Sequence, residues 1–202
     1  NLEAEAAPGA ESHAAGAPLD QLRDAQQRRT RMTSRLLKAS EEAVRDDRLG
    51  FVMLHLPIPH PPGQAILGAS SEAEPDYFNN LELADTTLGM VRTAMEEEGT
   101  WDSSTVIVIA DHGLRDFWNA LPVWSTDEEQ FRQSLDPLHV PFMVKMPHQD
   151  GASHFDVPIS STAVYELSVQ AMNGRITSSE EALRWFEKNA GDHPPVCLSR
   201  SE

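Results

Sequence analysis

Asp111 and His112 close the run Ser104-Thr-Val-Ile-Val-Ile-Ala-Asp-His-Gly113, and their types suit metal chemistry. A carboxylate oxygen next to an imidazole nitrogen fits a divalent cation, and Gly113 lets the backbone turn sharply with no Cβ in the way. As an isolated triplet, the same residues also read as an aspartate that N-caps the following helix. His60, in Pro59-His60-Pro61-Pro62, is the second candidate. An imidazole ordinarily titrates where a proton donor is needed near neutrality, and the plainer alternative is a polar residue in a proline-stiffened turn. His139 and His154 are placed to complete a metal shell or to serve as ordinary loop histidines, whereas His55, inside an apolar run, reads as a hydrogen-bonded core residue.

The elements that must carry these residues follow from periodicity. Val106 to Ile109 shows no polar alternation, the pattern of a strand covered on both faces in a parallel sheet. Residues 49 to 56 form another apolar run, closed by Pro57, Pro59, Pro61 and Pro62, which cannot continue in a sheet. Between the two, Tyr77, Leu81, Ala84, Leu88, Val91 and Met95 recur at helical spacing, with Gly99 as the stop. Strand, helix, strand predicts a right-handed βαβ crossover with both strand ends on one edge, where ligands bind in open α/β sheets. His55, His60, Asp111 and His112 would then converge on that edge.

Elsewhere, residues 19 to 46 read as an amphipathic helix whose Arg28-Arg29-Thr30-Arg31 cluster either grips a phosphate or forms a solvated face. Residues 114 to 137 are polar and irregular, hold Trp118 and Trp124, and read as a lid or a surface excursion. A short helix is expected there from Ser125-x-x-Glu128. A third strand is predicted over 140 to 146, a helix over 160 to 172, and a last helix opened by Ser178-Ser-Glu-Glu181. Residues 1 to 18 lack large apolar groups and read as a disordered arm; residues 19 to 191 form the α/β domain, and 192 to 202 a loose tail.

Several stretches together resemble the sulfatase-like branch of the alkaline phosphatase superfamily. They are Asp76-Tyr-Phe-Asn-Asn-Leu-Glu-Leu-Ala-Asp-Thr-Thr-Leu-Gly-Met90, the Asp-His-Gly run itself, Phe51-Val-Met-Leu-His-Leu-Pro-Ile-Pro-His-Pro-Pro62, and Leu138-His-Val-Pro-Phe-Met-Val-Lys-Met-Pro147. Val157-Pro-Ile-Ser-Ser-Thr-Ala-Val-Tyr-Glu-Leu167 agrees more loosely. The resemblance covers roughly residues 48 to 175 and implies an α/β three-layer sandwich with a mostly parallel sheet. It implies cleavage or transfer of sulfate or phosphate esters, with an anionic ester as substrate, on the periplasmic or extracellular side of a membrane. By the same resemblance Asp111 and His112 are metal ligands and His60 contacts or protonates the substrate. The imidazole of His112 favours zinc or manganese over calcium, which prefers oxygen ligands.

The sequence departs from that pattern in two places. The superfamily's nucleophile and first metal-binding acid belong before the Pro-His-x-Pro stretch, where this chain has a low-complexity arm and one helix. Thr30, Thr33 and Ser34 match no nucleophile motif, and the segment after Gly113 lacks the usual Gly-Glu-His pattern. The expectation is therefore the C-terminal part of a hydrolase or transferase, inactive alone. The alternative is a degenerate, non-catalytic domain with a binding or structural role.

Composition narrows the partners. With 202 residues, 40% hydrophobic, the chain is long enough for one domain with a real core. Its formal net charge of −16 opposes nucleic-acid phosphate and anionic lipid, which gain affinity through basic side chains. No apolar run approaches a membrane span, and the single Cys197 permits no intrachain disulfide.

Overall fold

Four consecutive β-branched residues, stiff at χ1 and suited to a pleated surface, form strand β1 (Val106–Ile109). In the computed structural model, which describes residues 19–59, 77–113, 125–136 and 139–194, β1 pairs with β2 (Phe142–Lys145). The pair is antiparallel, with Val106 opposite Lys145 and Ile109 opposite Phe142. Because side chains alternate between faces, this register puts Ile107, Phe142 and Val144 on one side. There they pack on a core of Met146, Leu167, Ile176, Ala182 and Phe186. The last four come from α4 (Ala163–Met172), α5 (Ser179–Asn189) and the turn joining them.

Both ends of that core are fixed by local chemistry. The Ser178 hydroxyl accepts the Glu181 amide at 3.3 Å, which caps α5, and the Glu181 carboxylate accepts the Thr177 amide just before it at 2.7 Å. Beyond α5, the His193 carbonyl accepts the Ser160 amide at 2.8 Å, and its imidazole lies 3.1 Å from the Glu166 carboxylate. The chain leaving α5 is thereby tied to the start of α4.

A second unit packs α1 (Leu19–Val44) on α2 (Tyr77–Glu97). Thr33, Leu37 and Ser40, spaced by four and three residues, are the buried face of α1. The Ser40 hydroxyl donates to the Leu36 carbonyl, so its burial leaves no polar group unmatched. On α2 the fully buried positions are Asn80, Leu83, Thr87 and Ala94, while the predicted line through Leu81, Ala84 and Leu88 is half-buried beside them. Gly99, at φ 70°, ends the helix in the left-handed conformation. Arg45 reaches Glu41, Glu97 and Glu98, joining the C-terminal ends of the two helices.

Helix α3 (Thr126–Ser134) starts with the capping box its sequence predicts, between Ser125 and Glu128. One turn on, Arg132 and Gln133 hold the Glu129 carboxyl down to about 2 from its ordinary 4.5. A carboxyl depressed in this way contributes stability that is complete above the unfolded value and is lost as pH falls through the folded one. The contribution is small because the group is solvent-exposed. A carboxyl-detected NMR titration should place the Glu129 midpoint near 2 and return it toward 4.5 in Arg132→Ala. An ordinary midpoint in the parent chain would mean that the pairing does not form.

Two expectations need correction and a third is met in part. Among the described residues the fold is α/β as expected, with a sheet of two antiparallel strands, and a three-layer sandwich with a mostly parallel sheet is not seen there. The predicted parallel neighbour, residues 49 to 56, joins no ladder, and Phe51 and Met53 stay 57% and 79% exposed. Prolines at 57 and 59 remove ladder donors there, so β1 finds its partner downstream, as an antiparallel pair can. His55 is consequently exposed and is not a core histidine. The arm 1–18, His60, residues 114 to 124 of the stretch from 114 to 137 read as a lid, and the tail beyond 194 lie outside the described residues.

Candidate metal centre

Ala110 still donates to the Pro141 carbonyl at 3.4 Å, so the ladder persists one residue past β1 before the chain bends at Asp111. The backbone amide of His112 donates to Asp111 Oδ1 at 3.1 Å. His112 Nδ1 lies 2.8 Å from the Gly113 carbonyl. A carbonyl can only accept, so this contact places a hydrogen on Nδ1. Ligating histidines are commonly oriented by such a carbonyl on one ring nitrogen while the other binds the metal.

Nε2 stands 3.6 Å from Asp111 Oδ2. A divalent ion at ordinary imidazole and carboxylate bond lengths, roughly 2.0–2.2 Å, separates its two donor atoms by roughly 3–3.5 Å. The pair therefore fits part of a metal shell with little adjustment. The Asp111 side chain is 67% exposed and the His112 ring 31%, so a cation can reach both from solvent. Among the described residues no group of three or more His, Cys, Asp or Glu is arranged to hold a metal.

The remaining histidines are placed as follows. His139 Nδ1 lies 2.8 Å from Asp136 Oδ2, an exposed pair on the approach to β2. His154 lies in an exposed stretch after β2. Neither joins Asp111 and His112 in a cluster. The partly buried contact of His193 with Glu166 is invisible to sequence reading because the two are 27 residues apart and share no motif.

A cleft of about 420 Å³ lies at the other end of the strand pair, lined by Arg92, Trp101 and Lys145 among others. Arg92 sits 5.3 Å and Lys145 Nζ 5.1 Å from the Trp101 ring centre. The Lys145 ammonium donates to the carbonyls of Trp101 and Ser104, and burial pushes its pKa below the usual lysine value. Its hydrogen bonds thus close the turn that leads into β1. This cleft is separated from Asp111 by the length of β1, roughly 13 Å.

Comparison with known proteins returned one family model, type I phosphodiesterase / nucleotide pyrophosphatase, matching residues 7–124. The match includes the Pro-His stretch around residue 60, helix α2, strand β1 and the Asp-His-Gly turn. No curated protein and no solved structure matched. The matched family lies in the alkaline phosphatase superfamily expected from the sequence, on its phosphodiesterase side, and its members are generally divalent-metal-dependent phosphate-ester hydrolases. More than half of the chain is matched, and the chain belongs to the type I phosphodiesterase / nucleotide pyrophosphatase family.

Proposed function

We propose that this chain serves a metal-dependent hydrolase or transferase of phosphate esters, with sulfate esters as the related alternative, and that Asp111 and His112 supply two ligands of its metal. The observation that carries the reading is the approach of His112 Nε2 to Asp111 Oδ2 with Nδ1 already engaged by the Gly113 carbonyl. A bound zinc or manganese ion would supply Lewis acidity toward an ester oxygen, worth several kcal/mol of charge stabilisation. Zinc or manganese suits the imidazole better than calcium does. Asp111 holds its carboxylate by accepting the His112 amide, and the His112 ring is oriented by the Gly113 carbonyl. His60 is assigned the proton delivered to the departing oxygen. A periplasmic or extracellular setting goes with this reading; no helix among the described residues is long and apolar enough to cross a membrane.

A second reading, a relative that keeps the scaffold without turnover, draws on the lack of a third ligand beside the pair among the described residues. Calorimetric titration of Mn²⁺ or Zn²⁺ into the full chain separates the possibilities. Binding that weakens at least about 100-fold in Asp111→Ala supports the metal centre, since even orienting residues around a metal cost 10- to 100-fold. Equal affinity in parent and variant would remove it. Turnover of an aryl phosphodiester lost in both Asp111→Ala and His60→Ala supports the hydrolase. Metal binding with no turnover of aryl phosphate or sulfate esters supports the second reading.

A further inference from the structure

Helix α1 buries Thr33, Leu37 and Ser40, which leaves its opposite face to solvent. On that face Arg28, Arg31, Arg35 and Lys38 recur at steps of three, four and three residues, and all four are exposed. The row is roughly 15 Å long, from ten residues at the helical rise. From 28 to 38 the sequence holds five cations and no acid, in a chain whose net charge is −16. Four other arginines are paired, Arg45 with three glutamates, Arg48 with Asp46, Arg92 with Glu96 and Arg132 with Glu129, while Arg175 and Arg184 stand singly without an ion pair among the described residues. Among the described residues, Arg28, Arg31 and Arg35 face no carboxylate. Arg31 bonds only the Gln27 carbonyl, and Lys38 stands 3.7 Å from Glu42 at the end of the row.

We infer that this outer face of α1 docks an acidic polypeptide segment, helical and carrying carboxylates at matching three- and four-residue steps. Charge complementarity is the first argument, because guanidinium forks bind carboxylates in a directed, bidentate way. Met32, 50% exposed beside the row, gives the second. A thioether adapts to an apolar side chain of a peptide and adds nothing to a hydrated phosphate. Net charge gives the third: a bilayer surface or a long duplex would also meet the field of a chain whose net charge is −16.

The probe is a fluorescein-labelled fifteen-residue helical peptide with glutamates at those steps, titrated by anisotropy into the full chain. Binding should weaken with salt and fall roughly 3- to 30-fold in Arg31→Gln/Arg35→Gln, from two exposed charge pairs. The substituted side chains point away from the buried face, and circular dichroism of the variant should match the parent. No binding by the parent, or unchanged binding by the folded variant, overturns the inference. So does equal or tighter binding to phosphatidylglycerol vesicles or to duplex DNA.

Discussion

Phe186→Ala is expected to destabilise the chain by about 3–5 kcal/mol, the usual cost of removing a large aromatic from a core that cannot collapse onto the void. Phe186 is 8% exposed and belongs to the core that covers one face of the strand pair. Its ring stands edge-on to Phe142 at 5.7 Å, 5.3 Å from Phe155, and edge-on to Trp185 at 5.3 Å. Phe142 is in β2, Phe155 in the stretch after it, and Trp185 is its neighbour on α5, so one side chain joins three parts of the fold. Edge-to-face contacts add to the burial term because ring edges are positive and faces negative. Urea titration should show a lower midpoint at an unchanged slope. Tyr165→Ala, on the exposed side of α4 at 77%, should move the midpoint hardly at all. A Phe186→Ala loss below about 1 kcal/mol would mean that α5 does not pack on the strands as described.

How much of this was legible in the sequence depends on the range of the interaction. The strand Val106–Ile109 is visible because its cause is local, β-branching at four successive positions. Its partner is not visible, because residues 51 to 56 and 142 to 145 are both apolar runs and periodicity is the same for either choice. Only the antiparallel register with Phe142–Lys145 brings Ile107 and Val144 to the same face as Phe142. On α2 the most buried positions lie beside the apolar line, for a related reason. Asn80 and Thr87 are polar, yet both are buried, Thr87 bonding the Leu83 carbonyl and Asn80 the Pro59 carbonyl at 3.5 Å. Hydrophobic spacing cannot show a polar residue that carries its own partner. At the candidate site, Asp111 and His112 were legible as a pair because they are adjacent and end a strand. Which groups come near them depends on distant segments, and neither His139 nor His154 clusters with them among the described residues.

Glu128→Ala is expected to cost about 2–4 kcal/mol, more than an ordinary helix cap, because it strips two backbone amides at once. Glu128 is 1% exposed although it is a carboxylate. One of its oxygens accepts the Ser125 amide at 2.7 Å, completing the capping box of α3. The other accepts the amide of Tyr77, the first residue of α2, across 51 positions of sequence. A single side chain thus caps both helices, and negative charge there is also favoured by the positive ends of both helix dipoles. Phe78 and Phe131, edge-to-face at 5.4 Å, make the apolar part of the same junction. Loss of the carboxylate leaves the Tyr77 and Ser125 donors without this acceptor, while Glu128→Gln keeps an acceptor oxygen of similar reach and loses the charge. The graded series parent, Gln, Ala should therefore fall in that order by thermal denaturation. Amide exchange at Tyr77 should quicken in Ala before the core around Phe186 is affected. If Ala matches the parent in stability, or exchange at Tyr77 is unchanged, the bridge between α2 and α3 does not exist in solution.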